Sequence, residues 1–301
     1  MTTKHYLILA AACAALIATS ARADDRPPFV PQWLGAQYTF IDQHQSALHS
    51  PYAGAMSLQP QGSTARSNTF GAYFGVALPA HLQFYFDVEM FKGGAVSQAT
   101  GLGGFVNGDV VHAGGSLSHR AYVARRYLRW TLPLAGEDAP VTRAQDQLPE
   151  TESSHQIEIK LGKLAVSDDF DRNRYADGAR SQFLNWSLVN NTAWDYAADT
   201  RGFSNGLMLG WINPHWSLRY GIYQMPERAN GPTLVDSLRR ASGQQLELTL
   251  QQSTDGAVLR LLAYRNVASM GSYDQAIAYA FAHGTVPDIV ANDQPGRHKT
   301  G

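Results

Sequence analysis

The chain has 301 residues, with 24 Lys and Arg against 25 Asp and Glu, and a formal net charge of −1. This balance argues against a nucleic-acid partner, because such partners are bound through clustered positive charge. Charged residues make up 16% of the chain, below the ~25% of an average soluble domain. A mean hydropathy of −0.26 argues against a bundle of membrane helices, but it is compatible with a β-barrel, whose apolar residues alternate with polar ones.

Residues 1–23 have the organisation of a secretory signal peptide. A basic start precedes an apolar run over residues 6–17, and an Ala-x-Ala cleavage motif ends at Ala23. The apolar run is shorter than the ~20 residues of a membrane-spanning helix, which is the alternative interpretation. Cys13, the single cysteine, lies inside this segment, where a lipoprotein signal is its other possible use. Cleavage at Ala23 leaves no cysteine for disulfides, thiol catalysis or metal binding.

The mature chain alternates apolar and polar residues with the period of two that is typical of half-buried strands. We predict nine strands, at residues 33–41, 67–78, 81–91, 121–132, 155–166, 203–212, 216–225, 244–252 and 257–267. An Ala-rich segment at 273–283 predicts a short helix. Residues 297–301 predict the start of a further strand.

Short and long connections alternate along the chain, as they do in outer-membrane barrels. Only the connection at 133–154 is too long for a short turn. One face of each strand is apolar, and the other carries Tyr, Gln, Arg and Glu, which suits a water-filled lumen. We therefore predict an all-β fold, an antiparallel transmembrane β-barrel of the bacterial outer membrane, with residues 24–301 supplying nine to ten strands. A soluble β-sandwich is the alternative.

Four sequence blocks resemble the carbohydrate-selective porins of the OprB family. They are GLGGFVNGD at 101–109, RRYLRWT at 125–131, GKLAVSDDFDRNRYADGARSQFLNWSL at 162–188 and AWDYAADTRGFSNG at 193–206. The resemblance covers nearly the whole mature chain. It implies a monomeric barrel of 16 strands that admits glucose and other neutral sugars, with residues 168–199 as an inward-folding constriction loop. We therefore expect this sequence to lack C-terminal strands of the barrel.

The chain departs from the family pattern at Arg126, where the family has a small residue, and at Ala197, where proline is common. Arg126 falls on the predicted lipid-facing side of its strand. Arginine in mid-bilayer costs ~2–4 kcal/mol, so we expect Arg126 near the membrane interface or at a bulge.

The polar strand faces predict the residues that line the pore: Arg125, Tyr127, Arg129, Arg219, Tyr223 and Arg260. Arg125 and Arg129 lie on one face, about 13 Å apart along the strand. Guanidinium groups bind neighbouring hydroxyls, and aromatic rings pack against the C–H face of a sugar. We predict that Arg125 and Arg129 contact sugar. The alternative is a rim position, where they would bind lipopolysaccharide phosphate.

The predicted constriction loop contributes Asp169, Asp171, Arg174, Tyr175, Arg180, Trp186 and Asp195. These side chains either contact sugar or lock the loop to the barrel wall, and we favour locking for most of them. Asp169-x-Asp171-x-Asn173 matches the first half of a calcium loop. The required Gly and Glu positions hold Arg174 and Arg180 instead, so we predict no metal site.

No catalytic motif of the Gly-x-Ser-x-Gly, His-Glu-x-x-His or P-loop type is present, so we predict no enzyme and no cofactor. The sequence predicts an outer-membrane porin for the passive diffusion of glucose and related neutral carbohydrates. Its other partners would be outer-membrane lipid and lipopolysaccharide. The alternatives are a general non-selective pore, and a barrel with an enzymatic or structural role and no flux.

Overall fold

The computed structural model describes residues 29–51, 53, 57–98, 105–110, 120–251 and 256–301. The predicted signal peptide at residues 1–23 lies outside the described residues, as does the start of the GLGGFVNGD block. None of the helices in the described part of the chain is long and apolar enough to cross a membrane.

The regular secondary structure of the described chain is almost entirely β-strand. Its strands are β1 Pro31–Gln45, β2 Ser63–Leu78, β3 Leu82–Gly93, β4 Tyr122–Pro133, β5 Asp138–Val141, β6 Glu150–Ser153, β7 Gln156–Leu164, β8 Ser204–Asn213, β9 Trp216–Gln224, β10 Ser242–Gln251, β11 Val258–Met270 and β12 Gln294–Thr300. One α-helix, α1 at Tyr273–His283, lies between β11 and β12. The predicted all-β fold is confirmed.

Ten strands form a single antiparallel sheet in the order β1-β2-β3-β4-β7-β8-β9-β10-β11-β12. Every strand of this sheet therefore pairs with its neighbours along the chain, and β5 and β6 form a separate hairpin. Strands β1 and β12 are the two edges of the sheet, and within the described residues they do not pair with each other.

The nine predicted strands, the predicted helix and the further strand near residue 297 are all present. The connection predicted at 133–154 is present, but it contains two strands, β5 and β6, that the sequence did not predict. Each of these strands has four residues, DAPV and ETES, which is too short and too polar to produce a clear alternation.

The connections fall into two groups at opposite ends of the sheet. At one end, called here the turn end, lie the connections 79–81, 134–155, 214–215 and 252–257. At the other, the loop end, lie the connections 46–62, 94–121, 165–203, 225–241 and 271–293. The alternation of short and long connections predicted from the sequence is therefore present, with the β5–β6 hairpin as the one long connection at the turn end.

The two faces of the sheet have inverted character. The face called here the polar face is covered and buries polar side chains: Thr69, Gln83, Asp87, Glu89, Arg125, Arg129, Thr131, Glu158, Gln245, Glu247, Thr249 and Asn266. The opposite face, the apolar face, is open and exposes large hydrophobic side chains: Leu128, Trp130, Leu161, Leu209, Trp211, Leu218, Leu246, Leu250, Leu259 and Leu261. A water-soluble sheet has the reverse arrangement, with apolar side chains covered and polar ones exposed.

A β-bulge in β4 explains the position of Arg126. The pairing of β3 with β4 shifts between Phe86 and Val88, and as a result Ala124 and Arg125 are both buried. Arg126 follows the bulge on the apolar face, where it is exposed and lies opposite Lys163 of β7. Of the two settings expected for Arg126, the membrane interface or a bulge, a bulge is present beside it.

Candidate functional site

The loop at 165–203 leaves the loop end of β7 and packs against the polar face. Phe170 is its central anchor, fully buried and in contact with the ring of Trp194, at a centroid distance of 6.4 Å. On the sheet side Phe170 meets Tyr223 of β9 edge-on, at 6.5 Å. Met208 of β8 belongs to the same cluster. These apolar contacts hold the loop on a face that is otherwise charged.

Glycines on the sheet make room for the aromatic side chains beneath the loop. The ring of Tyr223 lies over Gly206 and Gly221, where an added Cβ atom would overlap the ring. Tyr127 stacks on Tyr85 at a centroid distance of 5.2 Å, and both are buried. The predicted pore residue Tyr223 therefore lies along the wall under the covering loop, and Tyr127 is buried against Tyr85.

Arg180 ties the middle of the loop to β3. Its Nη1 and Nη2 atoms donate to the two carboxylate oxygens of Glu89, each at 2.9 Å. Its Nε donates to Asp109 at 2.6 Å, in the connection between β3 and β4. Both carboxylates are buried. A planar guanidinium that bridges two carboxylates fixes the loop in direction as well as in distance.

Asp169 and Asp171 tie the start of the loop to two other strands. Asp169 accepts a hydrogen bond from Lys160 of β7. The backbone N–H of Asp171, which has a positive φ of 53°, donates to Glu247 of β10 at 2.6 Å. The Asp171 carboxylate accepts from the backbone N–H of Asn191 later in the loop. Burial raises the pKa of Asp171 above its usual value.

Arg125 lies on the polar face as predicted, but its donors are occupied by carboxylates. Nε and Nη2 donate to Asp168 at 2.7 and 2.9 Å, and Nη1 donates to Asp87 at 3.2 Å. Asp146 lies 3.3 Å from Nε. Burial acts to raise the pKa of Asp168, but the charge and hydrogen bonds of Arg125 outweigh it and hold that pKa below its usual value. Arg125 therefore binds the covering loop.

Arg129, four residues nearer the turn end on β4, is also held by carboxylates. It donates to Glu158 at 2.6 Å, to Glu152 at 2.7 Å and to Glu150 at 3.0 Å. A fourth bond, of 3.2 Å, goes to Gln83. Only 6% of Arg129 is exposed. Its donors hold protein carboxylates, which leaves little capacity for a sugar.

The segment 134–155, called here the hairpin, is the part of the site that was not predicted from the sequence. It supplies Asp146, Glu150 and Glu152 to the two arginines of β4. Leu148 between them is buried, and its backbone N–H donates to the hydroxyl of Tyr85 at 3.1 Å. The sequence did carry one signal for this pairing. The segment is too long for a turn and is rich in carboxylates, which buried arginines need as partners.

Arg219 and Arg260 differ from the arginines of β4. Arg219 of β9 lies directly opposite Glu247 in the sheet, and its Nη1 donates to Ser217 at 2.7 Å. Its Nε is buried without a hydrogen-bond partner. Arg260 of β11 lies opposite Thr249, and no hydrogen bond or ion pair joins it to another described residue. Unlike Arg125 and Arg129, these two predicted pore arginines form no ion pair with another described residue.

The remaining predicted loop residues occupy different positions. Arg174 and Tyr175 are exposed, with the guanidinium 5.3 Å from the centre of the ring. Trp186 begins a short 3-10 turn beside Gly108. Asp195 forms an ion pair of 3.0 Å with Lys299 of β12, and its carbonyl accepts from Asn266 of β11 at 2.6 Å. The loop is therefore tied to the sheet near both of its ends.

The described residues contain no group of three or more His, Cys, Asp or Glu side chains arranged to hold a metal ion. Asp169 and Asp171, the first positions of the partial calcium motif, bind Lys160 and a backbone N–H instead. Comparisons with protein-family models, curated proteins and solved structures give no match to this chain.

Proposed function

We propose that this chain forms the wall of an outer-membrane porin that lets neutral sugars diffuse passively, as its resemblance to the OprB family implies. The observation that carries the proposal is the inverted sheet. Its open face is apolar, and its covered face carries arginines, carboxylates and tyrosines beneath a long inward-packed loop. This is the arrangement of a barrel wall between lipid and an aqueous lumen.

The apolar face supports a location in lipid. Contiguous exposed hydrophobic patches of this extent are rare on soluble monomers. Trp130, Trp211 and Trp216 lie together at its turn end, and Trp211 and Trp216 are in edge-on contact at 5.0 Å. Trp130 donates its indole N–H to the carbonyl of Ala80 at 2.9 Å. Tryptophans that bury a ring and keep a polar contact are typical of the membrane–water interface.

The edges of the sheet require partners in such an environment. Backbone N–H and C=O groups at an open strand edge cannot be left unpaired in hydrocarbon, which favours a closed barrel. In the proposed porin, β1 and β12 are therefore paired in a complete barrel, which the resemblance puts at 16 strands.

The charges of the polar face favour a neutral solute. Arg125, Arg129 and Arg180 are already compensated by carboxylates, so the wall offers little unbalanced positive charge to an anion. Arg219 and Arg260 form no ion pair with another described residue, whereas the buried carboxylate of Glu247 between their strands already accepts hydrogen bonds from Asp171 and Thr249. A sugar hydroxyl both donates and accepts, so it can bind such a mixed surface without a net charge. We assign sugar contact to Arg219 and Arg260, and anchoring of the loop and the hairpin to Arg125 and Arg129.

Liposome swelling tests the proposal. Vesicles that contain the protein should swell faster in glucose than in mannitol, an acyclic neutral polyol of similar size. Equal rates would make the protein a general non-selective pore. The dense cover over Arg125 and Arg129 favours a second candidate, a barrel with a structural role and no flux. In that case no swelling occurs in either solute.

A further inference from the structure

The hairpin reaches from the turn end along the polar face to the middle of the wall. Glu150 and Glu152 bind Arg129 near its base, and Asp146 at its tip reaches Arg125, 3.3 Å away. The covering loop approaches from the loop end, and its Asp168 binds the same arginine. Two covering elements from opposite ends of the sheet therefore meet at Arg125.

The hairpin also extends sideways across the sheet. Leu148 lies against Gly75 of β2 and close to Leu34 of β1. Arg143 donates to the carbonyl of Trp33 on β1 at 3.3 Å. The segment connects β4 to β7, yet it reaches β1, so it crosses the polar side of β2 and β3 instead of projecting into solvent.

We propose that the hairpin at 134–155 is a second constriction, which narrows the pore from the turn end and sets the largest solute that passes. This inference rests on the proposed function. The loop at 165–203 narrows the path from the loop end, and a solute must then pass the hairpin before it leaves.

The contacts of the hairpin indicate that it narrows the pore and is not part of the core that stabilises the fold. All of residues 134–155 are described, and Leu148 is the only apolar side chain among them that is buried. Two paired strands of four residues are not stable by themselves. The hairpin therefore depends on Arg125 and Arg129, whereas those arginines also keep Asp87, Asp168 and Glu158 as partners on the sheet and the loop. Its removal leaves both arginines paired.

The test replaces residues 137–152 with a short Gly-Ser turn and compares the variant with the unaltered protein in planar bilayers and in swelling liposomes. We expect single-channel conductance to rise by about twofold or more, because the path widens at a constriction. We also expect raffinose, a trisaccharide, to enter the variant and not the unaltered protein. Unchanged conductance together with an unchanged size limit would overturn the proposal.

A triple substitution covers the case in which the deletion variant fails to fold. Asp146→Ala, Glu150→Ala and Glu152→Ala together remove the acceptors through which the arginines hold the hairpin, without shortening the chain, and should shift the size limit in the same direction. The matched control is Glu137→Ala with Asp138→Ala, two exposed carboxylates of the same hairpin, which should change neither property. An unaltered protein without any flux would defeat the proposed function itself. A conducting protein whose size limit ignores the triple substitution would defeat only the role of the hairpin.

Discussion

Arg125 donates two hydrogen bonds to the carboxylate of Asp168, from Nε at 2.7 Å and from Nη2 at 2.9 Å. The pair joins the middle of the sheet to the first residues of the covering loop. Asp168 ends a short 3-10 turn four residues after β7, so the loop is turned onto the polar face soon after it leaves the strand. This direction brings the later residues of the loop, among them Asp171 and Arg180, to their partners on the polar face.

Arg180 should be the most important single anchor of the loop. Replacement of Arg180 by alanine leaves the buried carboxylates of Glu89 and Asp109 without their cation, and loss of one partner of a buried pair costs about 3–5 kcal/mol. The residual bonds from Tyr122 to Glu89 and from Thr69 to Asp109 place the expected loss at the lower end. Urea unfolding measures the loss, and protease cleavage within the loop should become faster.

Arg174→Ala is the matched control for Arg180→Ala, because Arg174 lies in the same loop but is exposed. An exposed substitution of this kind changes the free energy of unfolding by about 0.5 kcal/mol or less. Equal effects of the two substitutions would mean that the Arg180 ion pairs do not hold the loop.

Glu150 should make the stability of the protein depend on pH. Burial, and then its hydrogen bond with Glu152, raise the pKa of Glu150 from 4.5 to about 7. The groups that face it are Arg129 of β4, Glu152 of β6 and Gln83 of β3. Because the folded state holds this proton more tightly than the unfolded state, the stabilisation is complete below the unfolded pKa and is lost as the pH rises through 7.

Glu150→Gln mimics the protonated carboxyl, so it should have little effect on the free energy of unfolding at pH 5. At pH 8 the variant should be more stable than the unaltered protein, since it avoids the buried charge beside Glu152. Urea unfolding in detergent micelles at both pH values measures the difference. Glu137→Gln, at an exposed hairpin position, should show no such dependence. A destabilisation of Glu150→Gln that is equal at both pH values would contradict the expected titration.

Arg260→Ala should weaken sugar binding in the pore without unfolding the sheet. Loss of one hydrogen bond from a charged donor corresponds to a binding constant lowered by about tenfold. Arg219→Ala should act in the same direction. The measurement is the concentration of glucose that blocks half of the ion current. Arg129→Ala, in contrast, should lower stability, because it leaves Glu150, Glu152 and Glu158 without their shared cation. A normal block in Arg260→Ala would place the sugar elsewhere on the wall.

Leu161 and Leu188 form a matched pair for the lipid-facing surface. They are 57% and 53% exposed, but Leu161 lies on the apolar face and Leu188 lies in the covering loop. Arginine at the bilayer midplane of a barrel costs about 2–4 kcal/mol. Leu161→Arg should therefore make folding into phospholipid vesicles less favourable by about this amount, whereas Leu188→Arg should leave the stability nearly unchanged. Similar small effects at both positions would show that water, not lipid, meets the apolar face.

The strands were predictable from the sequence because each carries its own signal. β3 alternates apolar and polar residues from Leu82 to Met90, and the period of two specifies both the strand and its two faces. The helix at Tyr273–His283 follows from a run of alanines before Gly284, which ends it in a left-handed conformation. The side of the sheet on which Arg125 and Arg129 lie was predictable for the same reason.

The partners of those arginines were not predictable, because they depend on distant segments. Arg180 and Glu89 are 91 residues apart, and nothing local selects Glu89 over the other carboxylates. Whether an arginine on the polar face binds sugar or protein depends on what covers it. The hairpin covers Arg129, and its own strands are too short to carry a pattern. Arg260 forms no ion pair with another described residue, although its charge acts on Asp171 of the covering loop, and only the fold reveals this difference.

Sugar conduction is tested by the current through single channels of the protein in a planar lipid bilayer, recorded while glucose is added. A sugar-conducting wall predicts discrete channels whose current falls with glucose concentration and saturates, because the solute occupies the polar face that ions also use. Mannitol should reduce the current much less at the same concentration. The absence of channels, or channels whose current responds equally to glucose and mannitol, would show that the protein is not a sugar-selective porin.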